Sequence, residues 1–280
     1  MMMASATLHD GSMIEFEVHG DGPVLLLPAP APVEGPKAEA MRAWGADPAL
    51  GRSLTDGLRD RFRVVTVDYE GHVMAHPKPD TLTPANAARD LLAVADAAGA
   101  DRFAYYGYSW LGLLGQQLAL RTDRLSALVM GGYPPVGGPY AAMLAVTTAA
   151  HAASLAAVQH PPAPTETVPG DWSTVSVTTT VDQTRQFVTL YEALRDFDDR
   201  AAQPSLTCPR LCVVGSADTM DYAEQWGGVT VDIAGPVLRE RTDLEALGWD
   251  VAVLDGMDHM QAMQAAAVLP VLRPWLAARI

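Results

Sequence analysis

Short runs rich in apolar residues alternate with amphipathic stretches along most of this chain. Val24-Leu25-Leu26-Leu27, Phe62 to Val67, Arg102 to Tyr106, Leu125 to Met130, Arg210 to Val214 and Trp249 to Leu254 are of the length and character of strands covered on both faces. Residues 4–9 and Met13 to Val18 read as two further strands, joined at Asp10-Gly11-Ser12 in a hairpin. Between the runs lie helical patterns. Ala49 to Arg61 carries Leu50, Leu54 and Leu58 on one face, and Thr83-Pro84 offers a cap and a first-turn proline for a helix through Leu91, Leu92 and Val94 to Gly99. A third helix starts directly after Ser109 and runs to about Arg121. Strand and helix in alternation with short links predict a parallel sheet wound by right-handed crossovers.

The alternation lapses in three places. Pro28-Ala29-Pro30-Ala31-Pro32 opens a long loop to about Asp47, with a helical turn expected around Ala38 to Trp44. Asp68-Tyr69-Glu70-Gly71-His72 reads as a loop in which His72 and His76 pack the turn. After Gly131-Gly132-Tyr133 the strand pattern disappears. Tyr140 to Val158 is alanine-rich and helical, His160 to Trp172 is a proline-rich crossing, Thr165 to Thr184 is polar and of low complexity, and Thr184 to Ala202 is helical again, with Phe187, Leu190, Tyr191 and Leu194 on one side. These readings predict a core over residues 1–133 and 207–280, with residues 134–206 as a helical insertion over one end of the sheet. A last helix is expected over His259 to Ala278, bent near Pro270 and Pro274.

Composition narrows the function. With 280 residues, 49% of them hydrophobic, the chain can bury one large core. A net charge of −14, only two lysines (Lys37 and Lys78) and no basic run argue against nucleic acid as a partner. The first residues lack the features of an export signal, and no apolar stretch reads as long enough to span a bilayer. Cys208 and Cys212 lie roughly 13 Å apart if that segment is extended, too far for a disulfide, which fits a reducing cytoplasm. Scattered histidines and two cysteines give no metal-ligand cluster, so neither metal nor cofactor is expected. The expected partner is a small-molecule substrate, with no membrane; assembly into a homodimer is left open.

The candidate chemistry follows from where three residues fall. In Gly107-Tyr108-Ser109-Trp110 a strand turns into a helix at one serine, which forces a tight turn and exposes the hydroxyl beside the helix N-terminus. The same serine could be a plain helix cap. Gly215-Ser216-Ala217-Asp218 and Asp258-His259 each follow a late strand, at the edge where open parallel sheets build their sites. Through these three motifs, in the order Ser, Asp, His, the chain resembles the α/β-hydrolase fold family over essentially its whole length. The resemblance implies a mostly parallel, twisted, eight-stranded sheet flanked by helices, with a helical cap after the sixth strand. It also implies Ser109 as nucleophile, His259 as base and Asp218 as the carboxylate that orients it. Asp221 and Asp258 read as solvated turn residues.

Two departures from the family pattern carry expectations of their own. Leu111 stands where the family usually has a small residue, so a widened or shifted turn is expected. The backbone N–H of Trp110 should be one oxyanion donor, but Pro30 occupies the usual place of the other and has no N–H, which leaves Ala29, Ala31 or the loop through Trp44. Tyr108, Trp110, Tyr133, Tyr140, Met143, Leu144, Phe187, Tyr191 and Met260 are candidate pocket walls for an uncharged, mainly apolar acyl or aryl group, with Arg185 the one residue against that character. The function expected is hydrolysis of an ester, thioester or lactone through an acyl-enzyme. The alternatives are a lyase, cyclase or acyl transferase on the same fold, or a silent ligand-binding homologue.

Overall fold

The computed structural model describes residues 2–160 and 178–280. In chain order it begins with β1 (Met2–Thr7), β2 (Met13–His19) and β3 (Val24–Pro28), then α1 (Gly35–Ala43), α2 (Leu50–Leu58), β4 (Arg63–Val67), α3 (Tyr69–Ala75) and α4 (Pro84–Ala97). The central part is β5 (Phe103–Tyr108), α5 (Trp110–Ala119) and β6 (Leu125–Gly131), followed by α6 (Tyr140–Gln159), α7 (Val181–Glu192) and α8 (Asp199–Ala202). The last part is β7 (Arg210–Gly215), β8 (Thr219–Asp221), β9 (Thr230–Asp232), α9 (Ala234–Arg239), α10 (Arg241–Ala246), β10 (Trp249–Leu254), α11 (His259–Ala262) and α12 (Ala265–Ala277).

Eight strands form one sheet in the order β1-β2-β4-β3-β5-β6-β7-β10. The hairpin β1–β2 is antiparallel and joins β4 antiparallel; from β4 to β10 every pairing is parallel. Successive residues of the central strands point to opposite faces, and both faces are covered. Leu26, Val65, Tyr105 and Leu128 pack with α4 and α5, whereas Leu25, Leu27, Val64, Tyr106 and Val129 pack with α2 and α12. On that second side Leu50, Leu54 and Leu58 of α2 and Val268, Leu272 and Leu276 of α12 recur every four residues, which puts each set on one face of its helix. Each such leucine contributes about 2 kcal/mol by leaving water.

Several expectations change. Tyr69 to Ala75 is a helix, α3, and not a loop: Asp68 caps it by accepting the Gly71 N–H at 2.8 Å. The terminal helix is divided at Met263-Gln264, because Gln264 takes extended backbone at the start of α12 while its side chain bonds Met260 O and the Asp47 N–H; α12 then runs on through Pro270 and Pro274. The helix read over Thr184 to Ala202 starts earlier, at Val181, where Thr180 and Gln183 form a capping box, and it ends at Glu192. The hairpin β8–β9, the turn after β8 and the helices α9 and α10 were not legible; β9 and that turn pack against α6, so the roof over this end of the sheet is built from two separate stretches of chain. The 20 residues of α6 are long and apolar enough to cross a membrane, contrary to expectation, because alanine counts as apolar without forming a long-side-chain run. In the structure α6 packs against α7. The proline-rich crossing and the polar stretch fall largely outside the described residues.

Candidate active site

Strand β5 hands over to α5 at Ser109, whose φ of 57° and ψ of −131° make it the one non-glycine residue with positive φ among the described residues. Such a backbone costs about 1–3 kcal/mol and persists only where the surroundings impose it. Here they do. The Ser109 N–H donates to Gly131 O at 2.8 Å, and Ser109 O accepts from Gly112 and Leu113. Leu111 does not widen the turn. A Cβ on Gly107 would lie 2.4 Å from Leu111 O, and one on Gly112 would lie 3.0 Å from Gly131 O, so the close approach is made at those two glycines. Leu111 itself is buried, with its carbonyl held by the Tyr105 hydroxyl at 2.7 Å.

Asp218 follows β7 and is fully buried. Its backbone carbonyl accepts the N–H groups of Ile233 and Ala234, which fastens the turn from both sides. Its carboxylate faces the Nδ1 of His259, at 2.8 and 3.0 Å. Since a carboxylate accepts, Nδ1 carries the proton and Nε2 is left as the basic nitrogen. His259 opens α11, where Asp258 and Gln261 form a capping box. That role gives Asp258 a structural task in addition to its place on the cavity wall.

Ser109 and His259 line one cavity of about 520 Å³ between the strand ends and α6 and α7. Of the expected walls, Trp110, Tyr133, Met143, Phe187, Tyr191 and Met260 line it. Tyr108, Tyr140 and Leu144 do not: Tyr108 turns behind His259, and Tyr140 packs edge-on against Phe197. Arg185 is also elsewhere, between Asp80 and Glu192. The residues the sequence did not single out come mostly from the unforeseen elements: Glu70 of α3, Thr147 of α6, and Thr219, Met220, Tyr222, Val231 and Ile233 around the β8–β9 hairpin, where Asp221, read as a solvated turn residue, lines the cavity too.

Glu70 changes the character of the cavity. Its Oε2 accepts the Trp110 indole N–H at 2.8 Å, and Trp110 in turn meets Phe187 edge-on at 5.3 Å. The side chain is exposed on the cavity wall; partial desolvation there pushes the carboxyl pKa up, with the Trp110 hydrogen bond opposing and the nearby Asp68 adding to the rise. Among the described residues no lysine or arginine lines the cavity.

Of the alternatives for the second oxyanion donor, the two alanines have their N–H groups engaged elsewhere. The Ala29 N–H donates to Val67 O at 3.0 Å, and the Ala31 N–H to the Asp68 carboxylate at 2.9 Å. Both residues line a different cavity, beside β2, β4 and α2. Among the described residues no group of three or more histidine, cysteine or carboxylate side chains is arranged to hold a metal.

No family model matches the chain. It is 34% identical over 105 residues to the putative carbamate hydrolase RutD of Klebsiella pneumoniae strain 342 and to that of Klebsiella variicola strain At-22. The matched stretch is 36% of this chain and 40% of each relative, so it spans about two fifths of the length of these curated proteins. The structure is similar to an esterase from Exiguobacterium antarcticum (TM-score 0.62, 16% identity, 99% of this chain and 100% of that one). It is likewise similar to the enol-lactonase of Burkholderia xenovorans LB400 (0.61, 18%, 98% and 100%) and to the epoxide hydrolase VrEH1 of Vigna radiata (0.61, 15%, 99% and 98%).

Proposed function

We propose, from the α/β-hydrolase fold that this chain has, that it is a serine hydrolase cleaving an ester, thioester or lactone whose acyl part is mainly apolar. The observation that carries the reading is the pairing of a fully buried Asp218 carboxylate with His259 Nδ1, on a cavity that also holds the strained Ser109. In this reading Ser109 Oγ attacks the carbonyl carbon while His259 Nε2 takes its proton. The imidazolium, held by Asp218, returns that proton to the leaving alcohol or thiol, and water then repeats the sequence on the acyl-enzyme. Ser109 and His259 make no direct hydrogen bond in this state; such bonds commonly tighten only once substrate is present.

The oxyanion would meet the Trp110 N–H at the first turn of α5, where the helix dipole favours negative charge. With the Ala29 and Ala31 N–H groups both engaged, a donor of the usual kind is missing, which typically costs about a hundredfold to a thousandfold in turnover. That same feature favours the second reading, a lyase, cyclase or acyl transferase on this fold. Assay with p-nitrophenyl acetate and butyrate tests the first. Release by wild type and not by Ser109→Ala supports hydrolysis, and equal release by both removes it.

A further inference from the structure

A cavity lined by aromatic residues and three carboxylates, with no lysine or arginine on its walls among the described residues, is chemically matched to a cation. Three carboxylates reach this cavity. Two are committed to their own turns: Asp221 accepts the Thr230 hydroxyl at 2.6 Å, and Asp258 caps α11 through the Gln261 N–H at 2.8 Å. Each of the three keeps one oxygen without a protein partner among the described residues, and Glu70 is the one whose other oxygen, Oε2, takes the Trp110 indole N–H. Trp110 follows Ser109 in the chain, so the carboxylate is tied to the residue beside the hydroxyl.

The surrounding surface points the same way. Trp110, Phe187, Tyr191 and Tyr222 line the cavity, and aromatic rings of this kind attract ammonium groups at their faces. Arg185, the basic residue of α7, does not line the cavity and pairs with Asp80 and Glu192. A protein of net charge −14 also draws cations toward its surface.

We infer that the substrate of this site carries a positively charged ammonium group, which Glu70 and the ring of Trp110 receive while the acyl carbonyl lies at Ser109. This replaces the uncharged substrate expected from the sequence. It rests on the hydrolase reading for the role of Ser109, but not for the binding of the cation.

Butyrylthiocholine and its carbon isostere S-(3,3-dimethylbutyl) butanethioate are matched in size and shape and differ by one positive charge. Thiol release by wild type gives the ratio of their kcat/KM values, and calorimetry on Ser109→Ala gives the ratio of their Kd values without turnover. We expect both ratios to favour the cation by tenfold or more, and Glu70→Gln to bring both within about threefold of unity. Equal or tighter binding of the neutral thioester to Ser109→Ala overturns the inference, whether or not the Gln variant folds. So does a ratio that a folded Glu70→Gln leaves unchanged. If wild type turns over neither thioester while the binding ratio persists, the hydrolase reading falls and the ligand class stands.

Discussion

The Tyr108 hydroxyl donates to the backbone carbonyl of His259 at 2.8 Å, and the two rings lie 5.1 Å apart. The residue before Ser109 therefore holds the first residue of α11, which carries the imidazole, across 151 positions of sequence. A neutral hydrogen bond of this kind is worth about 1 kcal/mol. Tyr108→Phe should lower kcat about fivefold to tenfold with KM little changed and the melting temperature nearly kept. Steady-state kinetics on an activated ester checks this, and an unchanged kcat would show that the bond does not position His259.

Room for that tyrosine is made by Gly131 and Gly132. A Cβ at Gly131 would fall 2.6 Å from the Tyr108 ring, and one at Gly132, where φ is +58°, would fall 2.5 Å from it. Strain and overlap add at Gly132, so Gly132→Ala should destabilise the fold by about 2 kcal/mol or more. Urea unfolding measures it; a loss below about 0.5 kcal/mol would contradict the packing described.

Lys78 has a fully buried side chain, with its ammonium bonded to the Asp10 carboxylate and to Ser12. Burial opposes ionisation of Asp10, but the hydrogen bonds from Lys78 and Ser12 outweigh it and hold the carboxyl well below the usual range. A folded-state pKa below the unfolded value stabilises fully above about pH 4 and loses that contribution as pH falls toward the depressed value. Asp10→Asn leaves a buried charge unpaired and should cost about 3 kcal/mol at pH 7. The gap to wild type should narrow below about pH 4; a gap that stays constant from pH 7 to pH 2.5 would refute the linkage.

Cys212 sits in the middle of β7 with no exposure, and burial pushes its thiol up to about 12. Cys208 is raised too, for the same reason. Iodoacetamide at pH 8 should leave Cys212 unmodified in the folded protein and alkylate it in urea. Rapid labelling without denaturant would mean that this strand opens.

The parts of this molecule that could be read from sequence are those in which local pattern and tertiary demand agree. Val24 to Leu27 and Leu125 to Met130 are strands because their runs have no polar face to give to water, and β3 and β6 indeed lie inside the sheet. Ser109, Asp218 and His259 stand out because each follows such a run. The hairpin β8–β9 was hidden because strands of three residues have almost no periodicity, and its pairing rests on contacts with a partner strand. Glu70 was hidden with it: α3 is seven residues long, contains a glycine and a histidine and buries only Tyr69 and Val73, too short a pattern to say that it is a helix or which way its carboxylate points. The engagement of the Ala29 and Ala31 N–H groups is a fact of backbone geometry that residue identity does not carry.

The most direct test of the account is the mass of the intact protein after exposure to a fluorophosphonate, with the adduct then mapped by peptide sequencing. The account predicts one adduct, on Ser109, formed by wild type, absent from Ser109→Ala and slowed about a thousandfold or more in Asp218→Asn, where His259 loses its orienting carboxylate. A folded wild-type protein that takes no label, or takes it on another residue at the same rate in Ser109→Ala, would contradict it.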